Sequence, residues 1–215
     1  MIMPEKRGLF VVLEGIDGAG TSTQLPLLDS YIKRRSKYND VLGTHEPRRN
    51  KEIERRLSGD KDAFSEGLEM AELYILDRAE HTRKLINPVL DVGVFVLCDR
   101  YKMSTCAYQW TQGVELNKLF EMHKGLGILT PDITFYLDVD FGTAGERIQK
   151  RGEPKEKFEQ EEFMKKLIEN YRVLVQNYPQ EFGRVVVING AKSVYEVSMD
   201  IREEFKSYYD LWEES

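Results

Sequence analysis

Leu9-Phe10-Val11-Val12-Leu13-Glu14-Gly15-Ile16-Asp17-Gly18-Ala19-Gly20-Thr21-Ser22-Thr23 is the stretch whose reading decides the fold. Leu9 to Leu13 is short, apolar and rich in β-branched and aromatic side chains, which predicts a strand buried on both faces. From Ser22 to about Ser36, Leu25, Leu28, Tyr31 and Ile32 recur at helical spacing, which predicts a helix with one apolar stripe. Between strand and helix, Gly15 and Gly20 hold the glycine positions of the phosphate-binding pattern G-x-x-x-x-G-K-[ST], and Ser22 holds its hydroxyl position. Thr21 stands where that pattern has lysine. A strand, a glycine turn and a helix N-terminus bring orphan N–H groups and the positive helix end to one point, so an anion site is expected even without the lysine.

Outward from this stretch, strand and helix signals alternate. Asp40 to His45 reads as a second strand, ending in the loop Glu46-Pro47-Arg48-Arg49-Asn50. Glu66 to about Leu90 is helical in pattern, with Leu68, Ala71, Leu73, Ile75 and Leu76 as expected core contacts and Asn87-Pro88 as an expected interruption. Val92 to Leu97, Ile133 to Val139 and Arg184 to Ile188 read as three further strands. The expectation is an α/β protein of three layers, with five parallel strands, helices on both faces and right-handed crossovers. No repeat, low-complexity tract or linker interrupts residues 1–215, which read as one domain. The polar segment Arg151 to Gln160, with Gly152 and Pro154, lies between helical patterns over Gly142–Lys150 and Glu161–Asn177. It is the expected mobile lid, with a solvated surface loop as the plainer alternative.

A 41% hydrophobic and 32% charged composition belongs to an ordinary soluble globular protein, and a net charge of −6 argues against a general nucleic-acid binder. No apolar run approaches the roughly 20 residues that span a bilayer, and no signal-like core precedes the first strand, so a cytoplasmic location without membrane attachment is expected. Cys98 and Cys106 lie in no metal-type or C-x-x-C spacing and read as buried thiols.

Phosphoryl transfer asks a protein for magnesium, cations, in-line positioning and exclusion of water. Ser22 offers a magnesium-ligating hydroxyl, and Asp99, directly after an apolar strand, stands where phosphate-loop enzymes place a carboxylate that holds the ion. A helix cap is the other use of such a carboxylate; Arg100 beside it favours the catalytic edge. Arg49, Arg78 and Arg100 come from three segments that end at the ligand-facing edge of the sheet, and the planar guanidinium fork suits phosphate.

Beyond the phosphate loop, the chain resembles the thymidylate kinases of the nucleoside-monophosphate kinase group. The blocks that carry the resemblance are Glu14 to Gly20 with Ser22-Thr23-Gln24, Thr44-His45-Glu46-Pro47, Leu76-Asp77-Arg78-Ala79-Glu80-His81, and Asp99-Arg100-Tyr101 with Ser104 and Ala107-Tyr108-Gln109. Pro131 to Val139, Arg151-Gly152 and Phe158-Glu159 extend it over most of the chain. The resemblance implies transfer of a phosphoryl group from ATP to dTMP with Mg2+, in dTTP biosynthesis, by a homodimer. It also implies roles: Asp17 on the 3′-hydroxyl, Tyr74 stacked on thymine where the family usually has phenylalanine, Arg78 and Gln109 at the base. Tyr108 would pack where a 2′-hydroxyl would sit, and Arg100 would bind the acceptor phosphate. Gly15, Asp17, Gly18, Ala19, Gly20, Thr21, Ser22 and Thr23 would form the donor cradle, with Ser22 and Asp99 toward the metal. One branch of the family has arginine in place of His45 and glycines in place of Arg48 and Arg49; another has an acceptor-phosphate arginine at the position of Arg49. With a glycine-type loop the catalytic cations come from the lid, which makes Arg147, Arg151, Lys155 and Lys157 candidates.

The missing lysine leaves three outcomes open. A cation from Arg48, Arg49 or the lid fills its place; activity persists but is slow; or the protein binds nucleotides without transferring phosphate. Retention of the acceptor-side and magnesium residues favours the active enzyme.

Overall fold

A computed structural model describes residues 6–48, 50–59, 62–152 and 158–214. Five strands form one parallel sheet: β1 (Phe10–Glu14), β2 (Val41–His45), β3 (Phe95–Asp99), β4 (Ile133–Asp138) and β5 (Arg184–Asn189), in the order β2-β3-β1-β4-β5. The helices are α1 (Thr21–Arg35), α2 (Lys51–Gly59), α3 (Gly67–His81), α4 (Asn87–Asp91), α5 (Lys102–Thr111), α6 (Leu116–His123), α7 (Phe141–Arg151), α8 (Glu161–Asn177) and α9 (Val194–Glu214).

The apolar run at the start of the chain becomes the central strand, and every residue of β1 is buried. Its alternate side chains feed opposite cores. Val11 and Leu13 join Leu28 and Ile32 of α1 and Ile201 and Phe205 of α9, whereas Phe10 and Val12 meet Ile86, Leu90, Val96 and Cys98 on the other face. In the parallel register Leu13 lies opposite Asp99, and His45 also pairs with Asp99, so the phosphate loop, the β2 exit and Asp99 share one edge of the sheet. Ligands in open α/β sheets bind at that edge.

Three local readings are corrected. The third strand begins at Phe95 rather than Val92: Gly93 takes the left-handed conformation at φ 82° and donates to Leu90 O, making a turn that leaves Val92 half exposed. Asn87-Pro88 does not end the helical run. A wider turn over Thr82–Ile86 carries the chain from α3 into α4, and Pro88 falls in the first turn of α4. Leu76 is 60% exposed, and Leu73 is half-buried, because the inward stripe of α3 runs through Met70, Ala71, Ile75, Arg78 and His81. An arginine occupies a position that periodicity alone assigns to an apolar residue. Cys98 and Cys106 are buried free thiols. No helix among the described residues is long and apolar enough to cross a membrane.

Candidate active site

Where β1 ends, the backbone turns sharply. Gly18 has φ 83°, and a Cβ there would stand 2.7 Å from Ala144 O; Gly20, at φ 103°, is the N-cap of α1. Both positions require glycine, the first for close approach and both for left-handed backbone. Among the described residues no side chain caps the first turn of α1, and although Thr23 N donates to Gly20 O at 3.0 Å, the N–H groups of Thr21 and Ser22 are left for an anion. Ser22 and Thr23 are exposed at this turn, while Thr21 is buried. Arg147 supports the loop from behind: its guanidinium donates to the carbonyls of Gly18 and Ala19 at 3.3 and 3.2 Å, and to Gly190 O at 2.8 Å.

Beneath the loop lies Glu14, completely buried. It accepts from Tyr101 N at 2.8 Å, Ser104 N at 3.2 Å, Ser104 Oγ at 2.5 Å and Tyr171 OH at 3.3 Å. Burial pushes its pKa up, and the Ser104 hydrogen bond opposes that shift.

At the end of β3, Asp99 Oδ1 is buried without a hydrogen-bond partner among the described residues. An orphaned carboxylate oxygen with an exposed serine hydroxyl on the adjoining helix start fits a hard divalent cation such as Mg2+, which takes few protein ligands and completes its shell with water and phosphate. Among the described residues no group of three or more His, Cys, Asp or Glu gathers as a dedicated metal cage. Arg100, next in sequence, sits at φ 64°, a conformation uncommon for a residue with a side chain. Its Nη2 donates to Asp17 Oδ1 at 2.6 Å and its Nη1 to Ser104 Oγ at 3.3 Å; Tyr108 OH donates to the other Asp17 oxygen at 3.0 Å.

Arg78 is 1% exposed and lies in a mesh drawn from four elements. Nε donates to Glu46 Oε2 at 2.7 Å, Nη2 to Tyr101 O at 3.0 Å and Thr105 Oγ1 at 2.9 Å, and Nη1 to His123 Nε2 at 2.9 Å. His123 Nδ1 donates to Leu119 O at 2.7 Å, which fixes the tautomer and leaves Nε2 as the acceptor. Burial and the Arg78 charge push the pKa of His123 down to about 3, so the ring is neutral. Of the five N–H groups of Arg78, one on Nη1 has no partner among the described residues. The other Glu46 oxygen meets His81 Nδ1 at 3.0 Å; His81 Nε2 lies 3.1 Å from Thr44 Oγ1, which also accepts from Arg48 Nη1 at 3.0 Å. Arg48 N donates to Asp77 Oδ2 at 2.7 Å, tying the post-β2 loop to α3.

These walls enclose a cavity of about 920 Å³. Asp17, Tyr74, Arg78, Arg100, Tyr108 and Gln109 all line it. Tyr74 has no hydrogen-bond partner among the described residues, and burial pushes its phenol pKa up. Gln109 is 1% exposed; its Nε2 donates to Gln112 Oε1 at 2.9 Å, and its own Oε1 is buried with no partner among the described residues. Arg151 is not itself among the lining residues but pairs at 3.5 Å with Glu159, which is. Arg49, Lys155 and Lys157 lie outside the described residues. Sequence reasoning did not single out Glu14, Glu46, His81 or His123 as supports of the site. Glu46 carries a signal, a carboxylate directly after a strand and before proline; a lone histidine at the end of α6 carries none.

A family model described as thymidylate kinase matches residues 13–201. A probable thymidylate kinase of Thermococcus onnurineus (strain NA1) is 35% identical over 202 residues, covering 90% of this chain and 95% of the relative. A probable thymidylate kinase of Thermococcus kodakarensis is 37% identical over 202 residues, with 90% and 95% covered. The thymidylate kinase of Desulfotalea psychrophila is 34% identical over 202 residues, with 93% and 95% covered. With a match that runs from the end of β1 into α9 and relatives aligned nearly end to end, the chain belongs to the thymidylate kinase family.

Proposed function

We propose that this chain is a nucleoside-monophosphate kinase that transfers the γ-phosphoryl group of ATP to dTMP, giving dTDP and ADP in dTTP biosynthesis. The observation that carries the reading is a pair of cavity-lining residues with unspent groups of opposite polarity among the described residues: Arg78 keeps one N–H donor and Gln109 one carbonyl acceptor. Thymine offers the complement, a C4 carbonyl that accepts and an N3–H that donates. Cytosine reverses both groups, and a buried polar mismatch of this kind costs about 1–3 kcal/mol.

In this reading Tyr74 lies against the base and Tyr108 packs at the sugar. Asp17 receives the 3′-hydroxyl, and Arg100, oriented by Asp17 and Ser104, holds the acceptor phosphate and the charge that develops on transfer. The donor triphosphate rests on the uncapped first turn of α1, in the cradle of Gly15 to Thr23. Ser22 and Asp99 would hold Mg2+, which when bound neutralises charge on the β- and γ-phosphate oxygens. The chain acts as one domain in the cytoplasm, and its functional form is a homodimer.

An ADP-release assay with ATP, magnesium and a panel of dTMP, dUMP, dCMP, dGMP and AMP tests the reading. The expected result is turnover led by dTMP. Thr21 motivates a second reading, a nucleotide-binding regulator, and binding without turnover of any monophosphate is the outcome that supports it.

A further inference from the structure

Gln112, the C-cap of α5, lies outside the residues that line the cavity, yet its hydrogen bonds fix which way round the amide of the lining residue Gln109 stands. Gln112 Nε2 donates to Ala63 O at 3.0 Å and to Ser65 O at 2.6 Å. Two carbonyl oxygens can only accept, so the atom facing them is the NH2 group, and Oε1 of Gln112 faces the other way. Gln109 therefore approaches Gln112 Oε1 with its own Nε2, at 2.9 Å. What remains of the Gln109 amide is the carbonyl oxygen, buried and unpartnered. The assignment follows from the chemistry of the acceptors and not from telling oxygen from nitrogen by eye.

The fixing atoms belong to the segment between α2 and α3. Gly67 lets that segment close on α5, since a Cβ at this position would stand 2.8 Å from Gln112 Cβ. The loop carbonyls, Gln112 and Gln109 thus form a chain of fixed direction that ends at a residue of the cavity wall.

We infer that Gln112 is the positioning residue that sets base specificity: by locking the amide of Gln109 with its carbonyl toward the acceptor base, it selects a base that donates at N3 over one that accepts there. The inference rests on the acceptor-site reading above. If the lock is removed, the Gln109 amide is able to rotate by half a turn and present NH2, which suits cytosine.

Gln112→Met keeps length and removes both hydrogen-bonding ends. The expected result is a fall of about tenfold in the ratio of kcat/KM for dTMP over dCMP, carried by KM for dTMP more than by kcat. A packing role alone would lower the melting temperature without moving that ratio, and an unchanged ratio in a folded variant overturns the inference. Gln109→Met separates the two claims. If it leaves the ratio and KM unchanged, the acceptor-site reading fails; if it collapses the ratio while Gln112→Met does not, only the role of Gln112 fails. Should Gln112→Met not fold, a crystal structure of the wild-type protein with dTMP decides. Gln112 Nε2 on Ala63 O and Ser65 O with Gln109 Oε1 on the base supports the lock, and Gln109 Nε2 on the base overturns it.

Discussion

Asp17 and Arg100 meet at 2.6 Å, so the phosphate loop and the residue that follows β3 are joined by an ion pair at the mouth of the cavity. Asp17 also accepts from Tyr108 OH at 3.0 Å, and one carboxylate thereby orients both a cation and a phenol. Arg100→Lys replaces a planar fork with a point charge that cannot hold Asp17, Ser104 and phosphate together. The expected effect is a fall in kcat of about 10²–10³. The pair is partly solvated, with side chains 20% and 25% exposed, so its loss is expected to move stability by less than about 1 kcal/mol. Steady-state kinetics beside a thermal melt checks both, and a lowered melt with intact kcat would make Arg100 a structural residue.

Tyr74 separates ring from hydroxyl. Its phenol has no protein partner among the described residues, whereas its ring lines the cavity. Tyr74→Phe is expected to change KM for dTMP by less than about threefold and to leave folding intact, while Tyr74→Ala raises KM by about tenfold or more through loss of the aromatic face. Equal KM values for Phe and Ala variants would refute a stacking role.

Thr21 is buried at the first position of α1, and the nearest support of the loop is Arg147 on its carbonyl side. If the site already has its positive charge, Thr21→Lys gives no gain in kcat and lowers the melting temperature by crowding a buried position. A rise of about 100-fold, the scale of one electrostatic donor, would show that the charge was missing.

His123 predicts a pH dependence of stability. Its folded pKa lies near 3, against an ordinary value of 6.5, so between these values the unfolded chain binds a proton that the folded one refuses. Stability contributed by this group is full above about pH 6.5 and is lost as pH falls toward 3, at up to about 1.4 kcal/mol per pH unit. Urea melts of wild type and His123→Gln from pH 7 to 4 test the sign. The wild-type curve should fall more steeply on acidification, and parallel curves would contradict a neutral buried imidazole.

The parts of the molecule that were legible in sequence are those that a short window decides. Leu9 to Leu13 followed by a glycine turn needs no distant residue to read as strand and loop, and the five parallel strands follow from similar apolar runs. Leu76 and Arg78 show where that stops. Both lie on one helix, yet the arginine goes inside and the leucine outside, because Glu46, Tyr101, Thr105 and His123 converge on the guanidinium from elements separated in sequence. No local periodicity contains those four partners. Asn87-Pro88 failed as a stop signal for a related reason: the wide turn over Thr82–Ile86 absorbs the proline, and a pattern of residue types does not record turn width. In the cavity, six residues named from sequence share one wall system, but the direction of the Gln109 amide depends on two main-chain carbonyls, which have no side-chain signature.

Glu14 bears on how this enzyme can change over generations. Its carboxylate gathers the main-chain N–H groups of Tyr101 and Ser104 and the hydroxyls of Ser104 and Tyr171 under the phosphate loop, so a change at position 14 is felt at the start of α5 and in α8 at once. A chimaera that imports residues 9–23 from a relative without a carboxylate at position 14 would leave the buried Tyr101 and Ser104 N–H groups without that acceptor, and one that replaces α5 without a hydroxyl at position 104 would cost Glu14 its 2.5 Å donor. Chimaeras whose cross-over points keep Glu14, Ser104 and Tyr171 together are therefore expected to fold best.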